Sequence, residues 1–152
     1  MTEIEYQEPT PELYNAFVAG LALEEIQLVR VSGERRIAGE PSELGFGFGG
    51  GFAVEADRLQ IRYDVTAQLL GDEAAVLSEV QASVVVVLAM AEAGSPECFN
   101  RFAGSSGALM AHPYLREVVQ STAARLGHPG VVVPMATTIP VLAATVATMS
   151  AE

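Results

Sequence analysis

The feature that most constrains the fold is a strict alternation in mid-chain. Leu59, Ile61, Tyr63, Val65, Ala67 and Leu69 are apolar, and Gln60, Arg62, Asp64, Thr66 and Gln68 between them are polar. Successive side chains of a strand point to opposite faces, so this period of two specifies a strand with one dry and one wet face. Leu70-Gly71-Asp72-Glu73 supplies a turn. Ala75 to Met90, rich in β-branched Val, then reads as a second long strand. Its even positions (Val76, Val80, Ala82, Val84, Val86, Leu88) are expected to face inward, and Glu79, Gln81 and Ser83 to face water. A short loop between two such strands predicts an antiparallel hairpin.

Around this hairpin the patterns change. Thr10-Pro11-Glu12 reads as a helix start, a cap followed by Pro at the first helical position, with Leu13, Phe17 and Leu21 on one face. Glu24 to Val31 has strand composition and is expected to end at Ser32-Gly33, with residues 33–44 forming a loop. Gly45 to Gly51 holds five Gly and two Phe, with Phe52 just after, and reads as a short, irregular strand or a bulged edge. Gly45-Phe46-Gly47-Phe48-Gly49-Gly50 matches a G-x-G-x-x-G string. The dinucleotide fingerprint needs a helix after it, and here the alternating strand follows, so turn-rich low-complexity sequence is the better reading.

Downstream the period becomes helical. Ser95-Pro96-Glu97 is a second cap-like start, leading to Cys98, Phe99 and Phe102, and Gly104-Ser105-Ser106-Gly107 reads as a break. Pro113 is expected to open the clearest helix, with Leu115, Val118, Val119, Thr122 and Leu126 in one stripe and Arg116, Glu117, Gln120 and Arg125 opposite. Gly127 is placed to cap it and Pro129 to stop it. Burying each large apolar group of that stripe contributes roughly 1.5–3 kcal/mol, so the helix should dock on the sheet. Strands first and helices second predict an α+β domain, an antiparallel sheet with helices on one face. The expectation is one domain over residues 1–152: a helical extension over 1–23, the sheet over 24–91, helices over 95–127, and an extended segment and apolar tail over 128–152.

Charge and residue types narrow the function classes. Net charge is −11, and all eight basic residues are Arg. Such a chain is repelled by phosphate backbones and anionic membranes, so nucleic-acid binding is not expected, and polypeptide partners suit its field better. The lack of Lys removes Schiff-base chemistry and the Lys-dependent phosphate loop. Val131 to Met149 is apolar and about as long as a membrane span requires, but Pro134, Pro140 and four Thr interrupt it. It reads as an extended packing segment followed by a short apolar helix, with no membrane span. A single cysteine, Cys98, and a polar acidic start without signal-peptide pattern predict a cytoplasmic protein.

Catalysis needs a constellation of groups. His112 and His128 each sit beside a Pro and read as cap or surface residues, and Cys98 reads as core. These three lack metal-ligand spacing, and neither a nucleophile-elbow nor a Walker pattern is present. No catalytic residue, metal or cofactor is therefore expected, and the protein is not expected to be an enzyme.

Two stretches carry a family resemblance. Ile61 to Leu69 through Ala75-Val76-Leu77-Ser78-Glu79-Val80-Gln81 resembles the central hairpin of the SecB export chaperones, an alternating strand ending in V-T-A, an acidic turn and an L-x-E-V-Q strand. His112-Pro113-Tyr114-Leu115-Arg116-Glu117 through Arg125-Leu126-Gly127-His128-Pro129 resembles that family's F-P-Y-A-R-E helix and its closing S-R-G-x-x-P, and Val131 to Pro134 its apolar extended segment. The resemblance spans roughly residues 57–138. It implies four antiparallel strands and two helices per subunit, a homotetramer built as a dimer of dimers, and binding of unfolded clients in apolar grooves without ATP. Residues 140–152 contain no Cys or His, unlike the zinc tail with which export SecB proteins dock on the SecA motor. The stretch Leu13 to Arg36 resembles instead the SecB-like chaperones of toxin–antitoxin systems, which protect an antitoxin.

The function expected from this resemblance is a holding chaperone, for protein export or for protection of an antitoxin. The alternative is an oligomeric small-ligand-binding module without chaperone activity. Phe46, Phe48, Phe52 and Tyr114 are the candidate client-binding residues; the other reading of the Phe residues is the core of a short strand. Leu77 and Glu79, matching the family's L-x-E on the wet sheet face, are candidates for contact with a SecA-type motor; for Glu79 a plain solvated position is the other reading.

Overall fold

The mid-chain alternation forms strand β3, Arg58–Leu70, and every second residue from Leu59 to Leu69 is buried. The computed structural model describes residues 8–133. Helix α1 (Pro11–Ala19) leads into β1 (Leu21–Arg35) and β2 (Glu43–Glu55); β4 (Val76–Met90) follows β3; α2 (Pro96–Ala103) and α3 (Ser106–Arg125) close the described chain. The four strands form one sheet in the order β1-β4-β3-β2, antiparallel throughout. The fold is α+β, with the helices on one face.

Both cap-like starts are helix starts. Thr10 accepts a hydrogen bond from the Leu13 N–H at 3.3 Å, and Ser95 accepts one from Cys98 at 3.4 Å, each satisfying a backbone donor that the first turn leaves open. The buried face of α1 is centred on Phe17, with Tyr14 and Val18 partly buried, while Leu13 is exposed. Phe17 packs edge-on against Phe99 (5.5 Å) and Phe102 (6.4 Å) of α2. Cys98 is fully buried in the same layer.

Several element limits differ from expectation, each for a packing reason. β1 begins at Leu21 and runs through Ser32-Gly33 to Arg35. At Gly33 a Cβ would lie 2.8 Å from Thr122 and 3.1 Å from Leu126, so Gly here admits the end of α3 and does not end the strand. β2 is a regular strand, paired with β3 from Glu43↔Leu70 to Glu55↔Arg58 without a register shift. Its Gly residues had hidden a period of two: Leu44, Phe46, Phe48 and Phe52 pair with inward-facing β3 residues, and Gly45, Gly47, Gly49 and Gly51 with outward-facing ones.

The clearest helix starts at Ser106, seven residues before Pro113. Gly104 to Gly107 is the corner between α2 and α3. There the Tyr63 hydroxyl donates to the Ala103 carbonyl at 2.6 Å, and a Cβ on Gly107 would collide with that hydroxyl. Pro113 removes one helical hydrogen bond, but Pro113 and Leu109 both lie on the exposed side, where water can satisfy the released carbonyl. Ser83, expected to face water, is 4% exposed and bonded to Asp64.

Candidate functional site

Beyond α3 the chain turns at Gly127 and runs back as residues 128–133 toward the edge of β2. This return is held at three points. His128 Nε2 lies 3.0 Å from Ser78 Oγ of β4. The Val133 N–H donates to Gln120 Oε1 at 2.7 Å, and Arg116 Nε donates to the Val133 carbonyl at 2.8 Å. Both histidines are therefore buried, against the expectation of cap or surface positions: His112 lies inside α3 and His128 under its end. Burial, and the charge of Arg116 one turn on, hold the His112 imidazole below its ordinary value.

Between this return segment and β2 lies a cleft of 680 Å³. Its walls are the 39–43 loop with Leu44 and Phe46 on one side and Gly127 to Val131 on the other. Phe46 and Phe48 stack at 5.9 Å with planes 21° apart. Both also line a small pocket of 10 Å³, with His112, Leu115, Arg116 and Val133. The charged side chains of the cleft wall are carboxylates, Glu40 and Glu43. An apolar floor, exposed main chain at a sheet edge and an acidic rim suit an extended apolar segment without negative charge.

The residues singled out in the sequence go to different places. Phe46 lines the cleft, and Phe48 stacks on Phe46 from the small pocket. Phe52, on the same strand face, packs edge-on with Phe99 at 5.6 Å and belongs to the α2 aromatic layer. Tyr114 is exposed on the outer side of α3, away from the cleft wall. Leu77, expected on the wet face, is buried: its side chain packs at Gly39 and Gly71, and its carbonyl accepts from the Arg36 and Ile37 N–H groups. Glu79 accepts from Gln68 and Gln81, both at 3.2 Å, and lies 3.6 Å from Arg36. Sequence reasoning missed His128, Arg116 and Gln120; only the apolar run Val131-Val132-Val133 had marked the return segment.

Apolar surface is left over elsewhere. Leu23, Leu28 and Val31 lie on the helix-covered face of β1, opposite Leu88, Val84 and Ala82, yet are 48%, 51% and 47% exposed. β1 is an edge strand, met by the end of α3 at Gly33, and these three side chains stay open. Among the described residues there is no group of three or more His, Cys, Asp or Glu able to hold a metal, and no helix long and apolar enough to cross a membrane.

The four-stranded antiparallel sheet with helices on one face is the fold of a solved SecB-like chaperone. The SecB-like chaperone Rv1957 of Mycobacterium tuberculosis, solved in complex with a ChAD peptide from the Rv1956 HigA1 antitoxin, superposes with a TM-score of 0.71 at 16% identity, covering 83% of this chain and 97% of that one. No family model and no curated protein matches the sequence.

Proposed function

We propose that the protein is a holding chaperone that takes extended segments of unfolded polypeptides into the cleft between β2 and residues 127–131, without nucleotide or cofactor and without catalysing a reaction. The observation that carries this reading is Phe46, backed by the stacked Phe48, at a cleft open beside a sheet edge. Apolar client side chains lose water against the rings, and the client backbone finds partners along β2. The alternative, a small-ligand module, would use the same 680 Å³ cleft, and it predicts binding of one small molecule with no suppression of aggregation.

The subunit is proposed to work as a homotetramer in the cytoplasm, which would place several clefts on one client and raise avidity through effective concentration. The uncovered apolar side of β1 and the exposed Tyr114 and Leu109 on α3 support self-association. Either an exported protein or an antitoxin fits the cleft; the antitoxin peptide bound by the M. tuberculosis chaperone favours the second. Contact with a translocase motor through the outer sheet face would fall to Glu79, since Leu77 is covered. The test is suppression of aggregation of an unfolded substrate without nucleotide, with mass measured in parallel. Suppression by a species of about four subunits is expected; a monomer that leaves aggregation unchanged would sink the reading.

A further inference from the structure

The far wall of the cleft is a span held at its two ends. Along residues 128–133, His128 and Val133 are buried, Pro129, Gly130 and Val132 are exposed, and Val131 is half-buried. The cleft is lined by His128 to Val131, whereas Val133 faces the small pocket with Phe46, Phe48 and Val119. The near end is fixed by Ser78 Oγ, 3.0 Å from His128 Nε2. The far end is fixed by α3, where the Val133 N–H donates to Gln120 Oε1 at 2.7 Å and Arg116 Nε donates to the Val133 carbonyl at 2.8 Å. Between the ends, among the described residues, the Val131 N–H donates to the His128 carbonyl at 3.4 Å and no other hydrogen bond holds the main chain. Pro129 has no N–H to give, and a Cβ on Gly130 would meet open space.

Arg116 and Gln120 stand one helical turn apart and so project from the same side of α3. They take up both hydrogen-bonding groups of a single residue, and neither lines the cleft. We propose that Arg116 and Gln120 are positioning residues for client binding: through the main chain of Val133 they keep residues 129–131 in place as the wall opposite Leu44 and Phe46. The inference deepens the chaperone reading and rests on it. Client affinity is then the intrinsic affinity scaled by the fraction of molecules whose wall stands. With the far end released, the exposed span is tied to the fold only through His128, and that fraction falls.

The test compares the full chain with three variants. Gln120→Met keeps the side-chain volume without the acceptor, Gln120→Glu restores an acceptor oxygen, and Arg116→Met removes the donor at the carbonyl. Each is titrated by fluorescence anisotropy with labelled lactalbumin kept unfolded by reduction and carboxymethylation, circular dichroism gives the folded fraction, and hydrogen exchange is followed at the Val133 amide. Gln120→Met should bind the client about fivefold more weakly per folded molecule and exchange the Val133 amide about fivefold faster, the effect of losing one hydrogen bond. Arg116→Met should weaken the client about tenfold, since the bond it removes is charge-assisted. Gln120→Glu should bring both readouts back to within about twofold of the wild type, a return that a general loss of stability would not give. Faster exchange with unchanged or tighter client binding would overturn the positioning role and leave the chaperone reading standing. Weaker binding with unchanged exchange, or no return with Gln120→Glu, would assign the loss to another cause and overturn it too. A wild-type protein that does not bind lactalbumin would reject the chaperone reading, and the positioning role with it.

Discussion

Ser78 Oγ and His128 Nε2 lie 3.0 Å apart, both buried, fifty residues apart in the chain. This contact pins the turn after α3 to β4 and fixes one wall of the cleft. Removing either partner leaves the other buried without it, at a cost of about 1–3 kcal/mol. Ser78→Ala and His128→Ala should each lower the urea midpoint accordingly, and the double variant should lose less than the sum of the two. Additive losses would mean that the pair does not act as a unit.

Phe46 and Phe52 share a strand face but not a role. Phe46→Ala should weaken binding of an unfolded client severalfold with a small loss of stability. Phe52→Ala, which empties the space beside Phe99, should cost about 2–3 kcal/mol and leave client affinity of the folded fraction unchanged. Anisotropy titrations and urea melts on the two variants separate these outcomes; matching profiles would remove Phe46 from the site.

His112 gives the fold an acid-side slope. In the unfolded chain its imidazole titrates near the ordinary value of 6.5, and burial keeps it neutral to lower pH in the fold. Above that value neither state binds the proton and the contribution is flat. As pH falls below about 6.5, the unfolded chain takes the proton first, so stability declines until the folded-state value is reached. His112→Leu should flatten the stability curve below about pH 6.5. Curves for wild type and variant that run parallel there would contradict this.

The uncovered side of β1 is expected to hold subunits together. Leu28→Glu places a charge amid Leu23 and Val31 without touching the buried core. It should shift the mass toward smaller species in light scattering while leaving the circular dichroism of the subunit unchanged. An unchanged mass would locate the interface elsewhere.

The hairpin was legible because each apolar residue from Leu59 to Leu69 alternates with a polar one, and one face of β3 is wet. The helix caps at Thr10 and Ser95 were legible because a cap is a local hydrogen bond. β2 was not, since Gly at four successive outward positions, and at inward Gly50, erased the contrast that marks a strand. Nor was the start of α3: Gly and Ser around residue 105 signal a break locally, and only the Tyr63 hydroxyl beneath them explains a tight corner.

The cleft was legible only in part. Phe46 and Phe48 were named from their neighbours, but Phe52 and Tyr114 were grouped with them because sequence spacing does not tell which Phe meets α2. Leu77 was misplaced because the 36–42 loop that covers it is distant in sequence.

By itself the sequence determined what neighbouring residues decide: the alternating hairpin, the helix caps and the acidic field. Tertiary structure decided which Phe reaches the cleft, why two histidines and two serines are buried, and where the return segment ends. The physical reason is range. Strand period and capping act over a few residues, whereas the cleft exists only because β2, the 39–43 loop and residues 127–133 converge, and nothing in their local sequences encodes that meeting.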